Sequence, residues 1–202
     1  MVVSNMKKSY VLLLAITSSV LLLVYSFFEW PLTDFLTPFL AFPIWLALVG
    51  SFFSITIFSF VQLFLRKNWV PVLICVVAGF IWIKAPLIDW FLAADYSVFK
   101  EQRNEVVKQI NNGTLKPSKD DEDLIHLPKK YLATSSGGGD VLLDKQKDGQ
   151  YAVLFFTYRG MLSGYSGFAY IPGESTIAKK PFGSKVIEIN KKDNHWYDIS
   201  AE

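Results

Sequence analysis

The chain is poor in the residues that most often carry chemistry. It has one cysteine, Cys75, and two histidines, His126 and His195, among 202 residues. One thiol makes no internal disulfide, so cysteine usage says nothing about redox compartment. Cys75 stands inside an apolar run and reads as a small packing residue. Each histidine stands alone, without an HxxxH, HExxH or CxxC companion, which argues against a zinc site. Ser135–Asp140, SSGGGD, does not open a helical pattern and so lacks the context of a phosphate loop. The run Arg159–Gly167, RGMLSGYSG, has Gly-x-Ser-Gly rather than the Gly-x-Ser-x-Gly of a nucleophile elbow. No catalytic residue, cofactor-binding residue or metal ligand is assigned, no cofactor is implied, and the expectation is a protein that is not an enzyme.

Charge is also missing from long stretches. Residues 1–94 hold five Lys/Arg (Lys7, Lys8, Arg66, Lys67, Lys84) and three acids (Glu29, Asp34, Asp89). The remaining 15 basic and 15 acidic residues lie from Asp95 onward, so that half is neutral. A neutral domain lacks the basic face that nucleic acid requires, although Lys179, Lys180 and Lys185 form a local basic group. The chain therefore divides into an apolar region, 1–93, and a water-soluble region, 94–202.

The apolar region reads as three transmembrane helices. Tyr10–Phe28 is uncharged over about 19 residues, enough to cross a ~30 Å hydrocarbon layer at ~1.5 Å per residue. It exceeds the roughly 7–15 residues of a signal-peptide core and no small-x-small site follows, so it reads as a retained span. Phe35–Leu65 is too long for one straight span, and Pro38 and Pro43 interrupt its start. A second span is expected over 43–65, with residues 31–42 interfacial or re-entrant. Ala47, Gly50, Ser51, Ser54 and Ser59 give that span a small-residue face, expected to pack on the other two spans. The third span is expected over 69–91. Lys84 is its intramembrane charge, placed to snorkel outward or to pair with Asp89, with Pro86 kinking or ending the helix between them.

Short basic segments, the N-terminus and 66–68, mark the cytoplasmic side, and the 29–34 connection is acidic. The expected localisation is a bacterial inner or plasma membrane, multi-pass, with the N-terminus cytoplasmic and the C-terminal domain extracytoplasmic.

The soluble region opens with a helix expected from Asp95, as N-cap, to the stop Asn111–Asn112–Gly113. Tyr96, Phe99, Arg103, Val106, Val107 and Ile110 recur at three- and four-residue steps along one stripe. Asn112–Gly113–Thr114 also fits a glycosylation sequon but reads first as a helix-ending turn. The acids of 116–123 lack the spaced ligands and central glycine of a calcium loop. Strand patterns follow at 140–144, 151–159, 167–171, 185–190 and 195–200, with an extended piece at Tyr131–Thr134. Lys147–Asp148–Gly149 marks a hairpin. Tyr151–Arg159, YAVLFFTYR, is apolar on both alternating faces and should be a central strand covered on both sides. The fold class expected is all-α membrane helices followed by a small α+β domain, one helix packed on a five- to six-stranded antiparallel sheet.

Arg159, Tyr165 and Tyr170 form the candidate recognition patch, since Arg and Tyr are favoured anchors. The functional expectation is an envelope membrane protein whose C-terminal domain is a binding or accessory module. Its partners would be the lipid bilayer and a protein of the envelope, with no nucleic acid. Two alternatives stand beside it: an immunity-type protein against an envelope-targeted toxin, and a cytosolic sensor domain coupled to the helices.

Overall fold

The structure is a computed structural model that describes residues 2–117, 121, 123–146, 149–160, 164–173 and 181–202, the side chains of 2–8 and 181 excepted. The centre of the 116–123 loop, the turn residues Lys147 and Asp148, residues 161–163 and residues 174–180 (with Lys179 and Lys180) lie outside the described residues. The chain divides into two compact units, Met1–Phe91 and Leu92–Glu202.

The first unit is helical: α1 (Val2–Phe27), α2 (Glu29–Arg66), α3 (Val70–Lys84) and the opening turns of α4 (Leu87–Asn111). Helix α1 packs along both α2 and α3. Its inward face repeats at three- and four-residue steps through Val11, Ala15, Ser18, Leu22 and Tyr25, all buried. Ala15 and Leu22 meet Phe52 of α2 and Cys75 and Ala78 of α3 in one cluster. Small residues let the helices approach; a Cβ on Gly79 would sit 3.7 Å from the Phe52 ring. The outward faces are Phe-, Leu- and Ile-rich and exposed, as lipid contact requires. Two helices, over Ser9–Phe27 and Glu29–Arg66, are long and apolar enough to cross a membrane, and a third crossing is counted if α3 and α4 form one bent span.

Residues 31–42 are helical on either side of Thr37. Helix α2 starts at Glu29 and is broken only at Thr37 (φ 62°, ψ 152°). Thr37 precedes Pro38, where the helix resumes, whereas Phe42 before Pro43 stays helical. In the third span, expected over 69–91, the break beside Pro86 falls where it was expected, and α3 and α4 are bent by 65°. Ala85, before Pro86, is extended (φ −79°, ψ 134°) and ends α3 at Lys84. The small-residue face of α2 does not pack inward as a whole. Ser59 is buried, but Ala47, Gly50, Ser51 and Ser54 are exposed, and nothing lies within 4 Å of a Cβ built on Gly50. The hydroxyls of Ser51 and Ser54 donate to the Leu48 and Gly50 carbonyls of their own helix.

The second unit is one helix on a six-stranded antiparallel sheet. The strands are β1 (Leu124–His126), β2 (Asp140–Lys145), β3 (Tyr151–Arg159), β4 (Tyr165–Tyr170), β5 (Val186–Lys191) and β6 (Trp196–Ala201). Their order is β1-β2-β3-β4-β6-β5, so the last hairpin enters in reverse and β5, not β6, is the edge. The sixth strand is β1. Tyr131–Thr134, expected to be extended, instead makes a 3-10 turn closed by Tyr131 N–H on the Pro128 carbonyl and Thr134 N–H on that of Tyr131. The helix does not begin at Asp95. Nothing after Pro86 interrupts helical geometry, so α4 runs continuously through that residue to Asn111. Gly113 (φ +75°) then ends it, with Thr114 N–H donating to Asn112 Oδ1 at 3.0 Å.

Strand β3 is central and buried from Ala152 to Thr157. Facing α4 are Val153, Phe155 and Phe168, under Arg103, Val106, Val107 and Ile110. On the other side Ala152, Leu154, Phe156, Ala169, Tyr197 and Ile199 form a second cluster, closed over by Phe182. Both faces of the sheet are thus occupied. Edge strand β5 carries a bulge between Val186 and Glu188.

Candidate recognition site

Three neighbouring strands bring His126, Asp140 and Arg159 together. His126 of β1 and Asp140 of β2 are Cα partners in the ladder. His126 Nδ1 lies 2.9 Å from Asp140 Oδ1, and Arg159 Nη1 lies 3.1 Å from Asp140 Oδ2. One carboxylate, 19% exposed, therefore holds two cation-capable groups that are 69% and 47% exposed. The Arg159 guanidinium also sits 5.3 Å from the centre of the Phe156 ring.

The local sequence explains this placement. Ser135 is buried; its Oγ donates to the Asp140 carbonyl and accepts from Phe156 N–H at 2.8 Å. Ser136 Oγ donates to the Thr157 carbonyl at 3.2 Å. The turn Ser136–Gly139 is thereby pinned against β3, where the β3–β4 register shifts between Phe156 and Tyr158. Gly137 has φ +74°, and a Cβ there would come within 3.4 Å of Arg159 Cδ. The glycines thus let the turn lie against the Arg159 stem.

The expected patch of Arg159, Tyr165 and Tyr170 is not one surface. Arg159 and Tyr165 are ladder partners, and Phe156 lies between their side chains, 5.7 Å ring to ring from Tyr165. Tyr165 is half-buried against the second cluster, and burial pushes its hydroxyl pKa up. Tyr170 is at the other end of β4, stacked with His195 (5.7 Å) and Trp196 (5.6 Å). His195 gathers no polar site: Asp193 pairs with Lys100, Asp198 lies 3.6 Å from Lys192, and Tyr197 is buried. Lys84 is exposed at the end of α3 and makes no ion pair with Asp89 among the described residues. Asp140, absent from the expected patch, is the residue that joins His126 to Arg159.

The most buried charge is elsewhere and structural. Arg103, 1% exposed, donates through Nη2 to Asp95 Oδ2 at 2.5 Å and through Nε to the Thr134 carbonyl at 2.9 Å. Desolvation lowers its pKa, opposed by Asp95. Among the described residues no group of three or more His, Cys, Asp or Glu is placed to hold a metal ion.

Chemically, the trio can fix an imidazole through its Nδ1 and present a guanidinium beside it. That is an arrangement for holding an anionic or carbonyl group of a partner. No protein-family model, curated protein or solved structure matches the chain.

Proposed function

We propose that the chain is a three-span protein of a bacterial inner or plasma membrane, with its N-terminus cytoplasmic. Its sheet domain then works outside the cytoplasm as a binding module for a protein of the envelope. Charge placement along the apolar helices carries the topology: Arg66 and Lys67 follow one end of α2, and Glu29 and Asp34 lie at the other. Short basic segments favour the cytoplasmic side. The binding role is supported by a sheet packed on both faces, which leaves the His126–Asp140–Arg159 rim as a preoriented polar feature.

A reporter enzyme active only outside the cytoplasm, fused after Glu202, should be active. A cytoplasmic reporter at the same position should be silent. The binding role predicts a partner retained through mild-detergent purification of the whole chain and lost on Arg159→Ala.

One observation favours a second reading. Helix α3 has 15 residues, about 22 Å at ~1.5 Å per residue, short of a ~30 Å layer. If α3 dips in and returns, the sheet domain is cytosolic and a sensor role replaces envelope binding. The same pair of reporters decides between the two.

A further inference from the structure

The junctions α1–α2 and α3–α4 meet at one end of the helical unit. Phe27 and Phe28 pack edge-on against Phe91, at 5.8 and 5.9 Å between ring centres. Beside them is a cavity of about 380 Å³ lined by Ser26, Glu29, Trp82, Pro86, Leu87 and Asp89 among others. Its volume falls within the ~300–1,000 Å³ usual for small-ligand sites. It exists because two helix breaks, at Phe28 and at Ala85–Pro86, splay the chain at the same level.

The lining sets two acidic side chains among apolar ones. Glu29 and Asp89 contribute two carboxylates, and neither forms an ion pair among the described residues. Trp82 contributes an indole, the best aromatic partner for a cation. Lys84, next in sequence to the lining residue Ala85, is exposed at the end of α3. Apolar helix surfaces surround the junction, with Ile83 at 72% and Trp90 at 55% exposure, as an interfacial position requires.

We propose that this cavity seats the headgroup of an ammonium-bearing phospholipid of the phosphatidylethanolamine type. The ammonium lies between the Glu29 and Asp89 carboxylates against Trp82, and Lys84 is placed for the phosphate. The source is assigned to the bilayer because the helices around the cavity present exposed apolar side chains, Ile83 and Trp90 among them. This assignment rests on the membrane reading but not on the direction of insertion or on any protein partner. Its failure would leave the reporter results standing, and theirs would leave it standing.

The test is native mass spectrometry of the full chain purified in mild detergent. Phosphatidylethanolamine or phosphatidylglycerol with identical acyl chains is added at equal concentration. Retention of the ethanolamine lipid should exceed that of the glycerol lipid by roughly tenfold, and Glu29→Gln with Asp89→Asn should remove the preference. Equal retention of the two lipids by the unaltered chain overturns the proposal without recourse to any variant, as does an unchanged preference in a folded double variant. Soluble glycerophosphoethanolamine should compete poorly. Competition as strong as the lipid's would assign the cavity to a soluble ammonium compound and overturn the lipid source.

Discussion

The guanidinium carbon of Arg103 lies 4.9 Å from the centre of the Phe168 ring, so a charge on α4 rests on the middle of the sheet. Asp95, two turns earlier on the same helix, supplies the counter-charge, and the Thr134 carbonyl accepts a hydrogen bond from Nε–H. Such a buried group is satisfied only as a set.

Arg103→Ala should therefore lower the stability of the sheet domain by about 3–5 kcal/mol, because Asp95 loses its partner and a cavity opens over Phe168. Arg103→Lys should recover little, since an ammonium cannot reach Asp95 and Thr134 with forked geometry. Arg103→Met with Asp95→Asn should be milder than Arg103→Ala alone. Denaturant titration of the full chain in detergent, followed by tryptophan fluorescence, ranks the three.

Gly167 makes a steric prediction. A Cβ on this β4 residue would lie 2.3 Å from the Phe155 carbonyl oxygen. Gly167→Ala must push β4 from β3 where both are buried, at a cost of about 1–3 kcal/mol or more. Amide hydrogen exchange should show lost protection in β3 and β4 before any loss in α4.

The Lys100–Asp193 pair makes a pH prediction. The hydrogen bond from Lys100 holds the Asp193 pKa below its ordinary value, and the same bond raises that of Lys100. A depressed carboxylate contributes above its unfolded value of about 3.9 and loses that contribution as pH falls through the folded value. A raised ammonium contributes below about 10.4 and loses its contribution as pH rises through the folded value. The denaturation midpoints of the unaltered chain and of Asp193→Asn should differ by a small, constant amount between about pH 5 and 9, and converge at either extreme.

Cys75 tests the helical unit. It is 1% exposed in the cluster with Ala15, Leu22, Phe52 and Ala78. In native membranes it should resist a membrane-permeant maleimide, and it should react fully once the protein is unfolded in strong detergent. Prompt labelling of the native protein would mean that α1 and α3 are not packed through this face.

Much of this fold was legible in the chain because the deciding forces are local. Uncharged runs of about 19 and 31 residues announce helices for lipid, and the doubly apolar pattern of YAVLFFTYR announces a buried strand. Pro86 announced the break, since proline disfavours helical geometry at the residue before it, and Ala85 is extended. The start of α4 was not legible. Asp95 resembles a cap at the head of an apolar stripe, and only the tertiary fold shows it serving Arg103 eight residues on. Strand β1 escaped because its three residues gain strand character solely by pairing with β2. The candidate site followed the same rule: Arg159 could be picked from composition, but Asp140 joins His126 to it only once the β1–β2 register exists.

The two edges of the sheet have a consequence for how this protein behaves at high local concentration. At one side the ladder ends in a strand of three residues. At the other it ends in a bulged strand whose Ile187 is 61% exposed and which is flanked by Lys185, Lys191 and Lys192. A short edge offers little backbone to an incoming strand, and a bulged, lysine-flanked edge repels its own kind. Crowded on a membrane, the domains can collide often without annealing edge to edge into larger β-assemblies.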